Sequence, residues 1–443
     1  MLKGDLMSIY KSGNNIIVKG ESVTLEDIYQ AINDDSYFEK VSDNPPTYIL
    51  HNGHKLYLQN GSELIIGEEQ KEIFKRDCTS NAYSCYMELT NGSSLYLLNE
   101  AEFHYTMTFG TWSYIYFYES NLFTNGSGDE RPKIYNYGPM LFVGRYNKAQ
   151  AQILNTDFLY ATVTTTYGLY FNSTFKDAIT IDNCYFYGTD SGGYCNTINL
   201  LDSHMTISNT TFENTRYAMI GKFEDLSMKN CVIKNQSVAG LYFTEQISDK
   251  HDDIGVDTLL NSICKGEVSD CVFSNNPTDV RLYISISPRF KNCQFLSDTN
   301  VKLELGSIFF GHPSNTYAGS FNNNSSWHVK YSDVSLNLQN ISDVVVQIEN
   351  LDEDAIITDF ITNSKTFSLP YYISSDISGN SRYFPNYKIT LFKEGYKPYS
   401  FRVSADSDMT IDISMEKESR VQLHLPLKVR IKKHRKLRGV VKK

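Results

Sequence analysis

The sequence predicts an all-β protein whose larger part is a right-handed parallel β-helix. A short phrase recurs in which a polar turn residue is followed by a small residue, a variable residue and a large apolar one. Its copies occupy residues 183–186, 209–212, 230–233, 270–273 and 292–295, so their starts lie 26, 21, 40 and 22 residues apart. A period in the twenties that is carried on short strands is typical of a solenoid.

Each repeat contains three short alternating runs, which predicts one strand for each side of a triangular coil. One run precedes the turn residue, a second follows it, and a third comes before the next repeat, as at residues 205–208, 210–212 and 218–221. The intervening Asn or Asp tolerates a left-handed backbone, which permits a sharp bend between two strands. Inward side chains of successive coils are then expected to stack about 4.8 Å apart.

Four cysteines occupy the small-residue position of the phrase, where they alternate with Thr210. They are Cys184, Cys231, Cys271 and Cys293. Stacked neighbours point the same way, which is poor disulfide geometry, and the chain has no Cys-x-x-Cys pair. We therefore expect small buried apolar groups and no metal site here, whereas Cys78 and Cys85 could pair in an oxidising compartment.

The domain boundaries follow from where the repeat begins and ends. Residues 1–47 are predicted to form an N-terminal cap with a short helix, because Thr24 is a suitable N-cap and an acid follows three residues later. Residues 48–328 are predicted to form the β-helix. Residues 333–418 contain alternating runs separated by turns, which predicts a small β-sandwich, and residues 419–443 form a basic tail.

One phrase in the C-terminal region suggests a known module. The segment Phe392-Lys393-Glu394-Gly395-Tyr396 is followed by two predicted strands, and it resembles the carboxypeptidase regulatory-like and transthyretin-like modules. The resemblance covers residues 333–418. It implies a non-catalytic sandwich that serves attachment or spacing.

The tail differs from the rest of the chain in charge. Residues 419–443 hold ten Lys and Arg and no acid, whereas the body has 31 basic and 51 acidic residues, so a body of −20 carries a tail of +10. Either the tail is a solvated extension, or it docks onto an acidic partner such as another copy of the body. The expected anchoring residues are Lys428, Arg430, Lys432, Lys433, Arg435, Lys436 and Arg438. No aromatic residue is interleaved, so specific nucleic-acid binding is not expected.

A loop at residues 244–265 accounts for the 40-residue spacing, and long loops in compact solenoids often carry function. Its candidate binding residues are Glu245, Asp249, His251, Asp252, Asp253 and Asp257. Asp249, His251 and Asp252 resemble the Asp-Pro-His-Asp signature of alginate C5-epimerases, with Lys250 in place of Pro. A solvated charged loop, a cation site and an epimerase or lyase site stay open as alternatives.

The overall architecture resembles the β-helical tail-spike and adhesin-like proteins of viruses and prokaryotic cell surfaces. This resemblance implies a virion surface or tail protein, a spike or fibre, that binds host-cell glycan or envelope. The alternatives are a secreted cell-surface adhesin and a polysaccharide lyase or epimerase. We predict no catalytic residues and no cofactor, and we expect the isolated histidines His204, His312 and His328 to be structural.

The expected partners and location follow from the same comparison. A host-surface polysaccharide or envelope protein is the expected target. Other virion or surface proteins would bind through the sandwich and the basic tail, and a homo-oligomer such as a trimer fits this class. The chain has no run of about 18 apolar residues, so no membrane span is expected. No signal peptide is visible from Met1, so either a cleaved leader precedes the given sequence or the protein leaves the cell without one, as a virion component does. The expected location is the virion, with an extracellular or cell-surface location as the alternative.

Overall fold

The computed structural model describes the chain at residues 8–20, 22–78, 87–107, 115–126, 130–136, 140–143, 150–160, 167–172, 179–188, 196–244, 255–262, 266–324, 326–375 and 381–418. Within these residues the strands form long parallel ladders, and each coil adds one strand to each of three stacks. The fold is therefore the predicted parallel β-helix-like solenoid, followed by two C-terminal sheets.

The first stack contains the strand that comes before the bend into the second stack of each coil. It comprises β3 (Ser22–Thr24), β7 (Glu63–Ile66), β10 (Ser94–Leu98), β13 (Asn121–Asn125), β16 (Ala151–Leu154), β19 (Ile179–Asp182), the second halves of β21 (Asn196–Ser208) and β23 (Tyr217–Lys229), β26 (Gly266–Ser269), β29 (Ile286–Lys291), β32 (Ile308–Gly311) and β35 (Trp327–Leu338). All its pairings within the solenoid are parallel.

The second stack follows the turn and is a separate 12-stranded sheet. It comprises β4 (Phe38–Asp43), β5 (Pro46–Leu50), β8 (Ile73–Cys78), β11 (Glu102–Met107), β14 (Lys133–Asn136), β17 (Asp157–Tyr160), β20 (Tyr185–Gly188), β22 (Thr211–Glu213), β24 (Val232–Lys234), β27 (Val272–Ser274), β30 (Gln294–Phe295) and β33 (Thr316–Tyr317). Strand β33 is therefore the uncovered last strand of this sheet at the C-terminal end of the solenoid.

The third stack closes the triangle. It comprises β1 (Ser8–Ser12), β2 (Asn15–Lys19), β6 (Lys55–Gln59), β9 (Met87–Thr90), β12 (Ile115–Tyr118), β15 (Met140–Val143), β18 (Tyr167–Asn172), the first halves of β21 and β23, β25 (Ala239–Thr244), β28 (Val280–Tyr283), β31 (Thr299–Glu304) and β34 (Ser320–Asn324). Strand β1 pairs antiparallel with β2, and the later pairings are parallel.

The turn residues adopt the predicted left-handed backbone. Their φ angles lie between 49° and 54° at Asn155, Asn183, Asn209, Asn230, Asp270 and Asn292. Their side chains also form a ladder along the outside. Asn183 Nδ2 donates to Asn155 Oδ1 at 2.8 Å, and Asn155 Nδ2 donates to Asn125 Oδ1 at 2.9 Å. The recurring Asn therefore provides both the bend and a hydrogen bond between coils.

Inward aromatic rings stack from coil to coil, as the repeat predicted. The ring of Phe186 lies between those of Phe158 and Phe212, at centroid distances of 4.6 and 5.0 Å. Phe273 and Phe295 continue the column at 5.0 Å. All five side chains are buried, so the solenoid core is one continuous apolar stack.

The four cysteines of the phrase are free and buried, which confirms the prediction for them. The Cys184 thiol donates to the carbonyl of Asp182 at 3.2 Å, and the Cys271 thiol donates to that of Ser269 at 3.1 Å. Burial raises the pKa of Cys184 to about 12. These thiols are therefore inert packing groups. Cys85 and the side chain of Cys78 lie outside the described part of the chain.

The N-terminal helix α1 (Leu25–Ile32) begins where the sequence predicted. Thr24 and Asp27 form a reciprocal capping box, and the buried face of α1 carries Leu25, Ile28 and Ile32. The parallel ladder starts earlier than residue 48, however, because β2 and β3 already pair in parallel with β6 and β7. These short strands complete a first coil within the segment predicted as a cap.

At the C-terminal end the solenoid passes directly into the sandwich. Residues Trp327 to Lys330 of β35 pair in parallel with β32 of the solenoid. On its other side β35 pairs antiparallel with β38 (Ser364–Ser375) from Trp327 to Asn337, and Val334 to Leu338 pair in parallel with β42 (Met409–Ile413). Strand β39 (Ser381–Tyr383) extends this sheet. The second sheet has the order β37-β36-β40-β41. Its strands are β36 (Val344–Asn350), β37 (Ile356–Ile361), β40 (Asn386–Phe392) and β41 (Tyr399–Ser404).

The long loop is not simply solvated. Part of it forms helix α2 (Val256–Ser262), which packs against β37 and β38 of the sandwich. Val256, Leu259 and Leu260 are buried in the same apolar cluster as the inward residues of both sandwich sheets. The alternative of a solvated charged loop is therefore wrong for residues 256–262, because the apolar face of α2 supplies part of the sandwich core.

Candidate functional site

A groove of about 600 Å³ lies where the solenoid meets the sandwich. The solenoid lines it with outward residues of the first stack, which are Lys229, Glu267, Ser269, Asp270, Lys291 and Asn292. The sandwich contributes Asp333, Ser335, Thr366, Asp408, Met409 and Thr410. The lining is therefore almost entirely hydroxyl, amide and charged groups.

Charged groups bridge the two sides of this groove. The ammonium of Lys291, on the solenoid, contacts Asp333 Oδ2 and lies 3.4 Å from Asp408 Oδ2. His312 Nε2 lies 2.7 Å from Asp408 Oδ1, which also accepts from the backbone NH of Asp333 at 2.8 Å. These contacts form a clamp between the last coils and the sandwich.

The pKa shifts agree with this clamp. Burial opposes the charge on Lys291, but its contacts with Asp333 and Asp408 outweigh that cost and raise its pKa. Burial likewise opposes the charge on Asp408, but the Asp333 amide and His312 outweigh it and lower the pKa. The ion pairs are therefore favoured near neutral pH.

His312, Asp333 and Asp408 each offer a ligand atom within 4.8 Å of the others, a spacing that suits a metal ion. The ammonium of Lys291 already contacts both carboxylates, so it supplies the positive charge that an ion would bring. Asp333 Oδ1 also accepts from Ser368 at 2.6 Å. We therefore describe this cluster as an interdomain clamp.

A second cavity, of about 510 Å³, lies beside the clamp at the uncovered end of the second stack. Tyr317, Phe321 and His328 form its aromatic wall. The rings of Phe321 and His328 stack at 4.6 Å and 23°, and Tyr317 meets Phe321 edge-on at 6.4 Å. Lys330 is exposed at the rim. We call this cavity the aromatic cleft.

The floor of the aromatic cleft requires a glycine. A Cβ at Gly311 would lie 2.9 Å from the Tyr317 hydroxyl and 3.2 Å from Nε2 of His328. Burial lowers the pKa of His328 to about 4, so its ring is neutral at physiological pH. The cleft therefore offers flat, uncharged ring faces with one ammonium at the edge.

One hydrogen bond separates the groove from the aromatic cleft. His312 lines the cleft, Asp408 lines the groove, and their side chains are bonded to each other. A smaller depression of about 180 Å³ lies further along the first stack, and strand β23 lines it with Asp225 and Ser227. The same strand reaches the groove through Lys229. Polar outward residues thus lead along the solenoid to the junction.

A cavity of about 290 Å³ near the N-terminus contains two carboxyl groups with opposite pKa shifts. Hydrogen bonds from Gln30, Lys40 and Tyr48 lower the pKa of Glu26 to about 2. Burial raises the pKa of Glu72. Pairs of carboxyl groups with opposed pKa shifts occur in acid–base enzymes, so this cavity is a second candidate site.

The predicted site residues lie mostly outside the described part of the chain. This holds for Glu245, Asp249, His251, Asp252 and Asp253 of the loop and for the tail residues Lys428 to Arg438. The backbone of Asp257 belongs to α2, but its side chain lies outside the described part of the structure.

Sequence reasoning missed the junction. Its residues are far apart in the chain, and strand alternation does not reveal which turn of the sandwich faces which coil. His312 and His328 were noted only as isolated histidines. The one available signal was their position in the last repeats before the sandwich begins.

Comparison with family models, curated proteins and solved structures finds no match to this chain. No helix within the described residues is both long and apolar enough to cross a membrane.

Proposed function

We propose that the protein is a structural attachment protein of a virion surface or tail, and that it binds a host-surface polysaccharide at the junction of solenoid and sandwich. The observation that carries this proposal is the polar groove that lies directly beside the aromatic cleft. A secreted adhesin would use the same site, and the two proposals differ only in whether the protein belongs to a virion or to a cell surface.

The chemistry of the two cavities suits a saccharide. A sugar ring has an apolar CH face, which packs on flat rings such as Phe321 and His328, and hydroxyls, which need hydrogen-bonding partners. The groove supplies such partners through Ser335, Thr366 and Thr410. An extended chain of several sugars could therefore lie across the junction with different units in each cavity.

The junction carboxylates favour binding over catalysis. A glycosidase needs two carboxyl groups that are free to exchange protons on either side of the scissile bond. Asp333 and Asp408 are both paired with Lys291, and Asp408 also accepts from His312. Their role in the clamp occupies the oxygen atoms that such chemistry would use.

The proposal is tested with a panel of purified neutral and acidic surface oligosaccharides, measured by calorimetry against the full-length protein. Phe321→Ala should weaken the binding of any oligosaccharide that the wild-type protein binds at least tenfold, since buried aromatic anchors commonly contribute over 1.4 kcal/mol to binding. Phe123→Ala is the matched control, because Phe123 is an outward ring of the first stack. Equal weakening by both variants, or no binding by the wild-type protein, would overturn the proposal.

The opposed pKa shifts of Glu26 and Glu72 support a second candidate, a polysaccharide lyase or epimerase that works at the N-terminal cavity. Burial favours the protonated form of Glu72, whereas hydrogen bonds from Gln30, Lys40 and Tyr48 favour the ionised form of Glu26. Incubation with uronic-acid polysaccharides tests this, with new unsaturated ends or changed C5 configuration as the readout. Turnover that disappears in Glu72→Gln would support it, and an absence of turnover in the wild-type protein would reject it.

A further inference from the structure

A row of exposed apolar side chains crosses the outer sheet of the sandwich. Val345 of β36 lies opposite Phe360 of β37 on one side and Phe392 of β40 on the other. Their side chains are 49% exposed for Phe360, 41% for Val345 and 40% for Phe392. Side chains opposite each other on adjacent strands lie about 5 Å apart, so the three form one continuous patch. We call this patch the apolar row.

The apolar row has no role in the sandwich core. The inward residues of the same strands, Val344, Val346 and Leu391, already fill that core. Contiguous exposed apolar side chains commonly mark an interaction surface. The row also lies on the opposite side of this sheet from the core, so the groove and the aromatic cleft do not involve it.

The described chain ends next to this row. Lys417 pairs with Tyr396 in an antiparallel bridge, and the Glu418 NH donates to the Gly395 carbonyl at 2.9 Å. Gly395 lies in the turn that follows β40, three residues after Phe392. The basic tail therefore starts at the end of the sheet where the apolar row lies.

The tail contains a segment that matches the row. Residues 423–431 place an apolar side chain at every second position, namely Leu423, Leu425, Leu427, Val429 and Ile431, with His424, Pro426, Lys428 and Arg430 between them. In an extended chain these five side chains point to one side, and Lys428 and Arg430 point to the other. A segment of this kind has one face that needs an apolar surface and another that needs water or an acidic partner.

We propose that residues 423–431 of the same chain dock in an extended conformation over the apolar row. The five residues from Glu418 to Leu423 reach about 17 Å when extended, whereas the row spans about 10 Å across three strands. Docking would cover Phe360, Val345 and Phe392 with Leu and Val side chains. It would also hold Lys428 and Arg430 outward, so that the sandwich presents a basic surface on an otherwise acidic protein.

Limited trypsin digestion of the full-length protein, followed by intact-mass analysis, tests the docking. Cleavage after Lys428 and Arg430 should be at least tenfold slower than cleavage after Arg438, because the protease needs an accessible extended chain. The double substitution Phe360→Ser with Phe392→Ser should abolish this difference. Leu296→Ser is the matched control, since Leu296 is 45% exposed on the solenoid, and it should leave the difference intact.

A second variant, with its substitutions in the tail, shows whether a loss of protection comes from lost docking or from a folding defect in the sandwich. Leu427→Ser with Val429→Ser leaves every described residue unchanged, and it should also remove the protection of Lys428 and Arg430. Equal cleavage at all three basic sites in the wild-type protein would overturn the proposal. A dimer mass by light scattering that reverts to a monomer in the tail variant would overturn the same-chain assignment, because a second copy's tail would then occupy the row.

Discussion

His312 Nε2 lies 2.7 Å from Oδ1 of Asp408, a residue 96 positions later in the chain. This bond joins the last coils of the solenoid to the turn before the final strand of the sandwich. Together with Lys291 and Asp333 it forms the clamp that separates the polar groove from the aromatic cleft. The geometry of both cavities therefore depends on how firmly the two domains are held.

Lys291→Met should destabilise the protein by about 1–3 kcal/mol, because it leaves Asp333 and Asp408 facing each other without a cation. Urea unfolding at pH 7 measures the change. Lys302→Met is the control, since Lys302 pairs with Glu304 on the solenoid alone and Glu304 keeps its bond to Arg281. A loss for Lys291→Met no greater than for the control would show that the clamp does not hold the domains together.

Asn230→Ala should cost about 1–2 kcal/mol, because Asn230 has a φ of 53° and alanine is strained there. Asn230→Gly should cost less than half as much. Glycine adopts this backbone without strain, so this variant loses only the side-chain hydrogen bond to Asn209. Thermal unfolding of the two variants separates backbone strain from the amide ladder. Equal losses would show that the left-handed turn is not what selects Asn.

Leu259→Ala should cost about 2–4 kcal/mol, because the side chain is fully buried in the sandwich cluster although it belongs to the long loop. Thr258→Ala, one residue earlier and only partly buried, is the control. Chemical denaturation measures both. If Leu259→Ala unfolds like the control, α2 does not contribute to the sandwich core.

His328 should make the protein acid-sensitive. Its pKa is about 4 in the folded protein and 6.5 when exposed, so its contribution is complete above pH 6.5 and is lost as the pH falls towards 4. His328→Phe keeps the ring stack and removes this pH-dependent contribution to the free energy of unfolding. Its stability should therefore fall by about 2 kcal/mol less than that of the wild-type protein between pH 7 and pH 4.5. Identical losses would contradict the lowered pKa of His328.

The solenoid could be predicted because its rules are local. The turn at Asn183, the small buried Cys184 and the large Phe186 follow one another within four residues, and the same pattern recurs at residues 209–212, 230–233, 270–273 and 292–295. Strand alternation then determines which side chains face inward. The capping box at Thr24 is equally local, and the structure confirms it.

The junction between solenoid and sandwich could not be predicted, because it depends on contacts between residues that are far apart in the sequence. Which coil faces which sandwich turn depends on β35 running from one domain into the other, and no period in the sequence encodes this. The same applies to α2. Leu259 and Leu260 sit beside a charged stretch, and only the neighbouring sandwich core shows that they are buried.

The binding of a saccharide at the junction is tested most directly by hydrogen–deuterium exchange of the full-length protein, with and without a saturating oligosaccharide from the panel. Backbone exchange should slow in residues 311–330, which form the aromatic cleft, and in residues 405–410, which border the groove. Exchange around Asn183 and Phe186 should stay unchanged. Protection confined to residues 244–265, or no protection anywhere at saturation, would contradict binding at the junction.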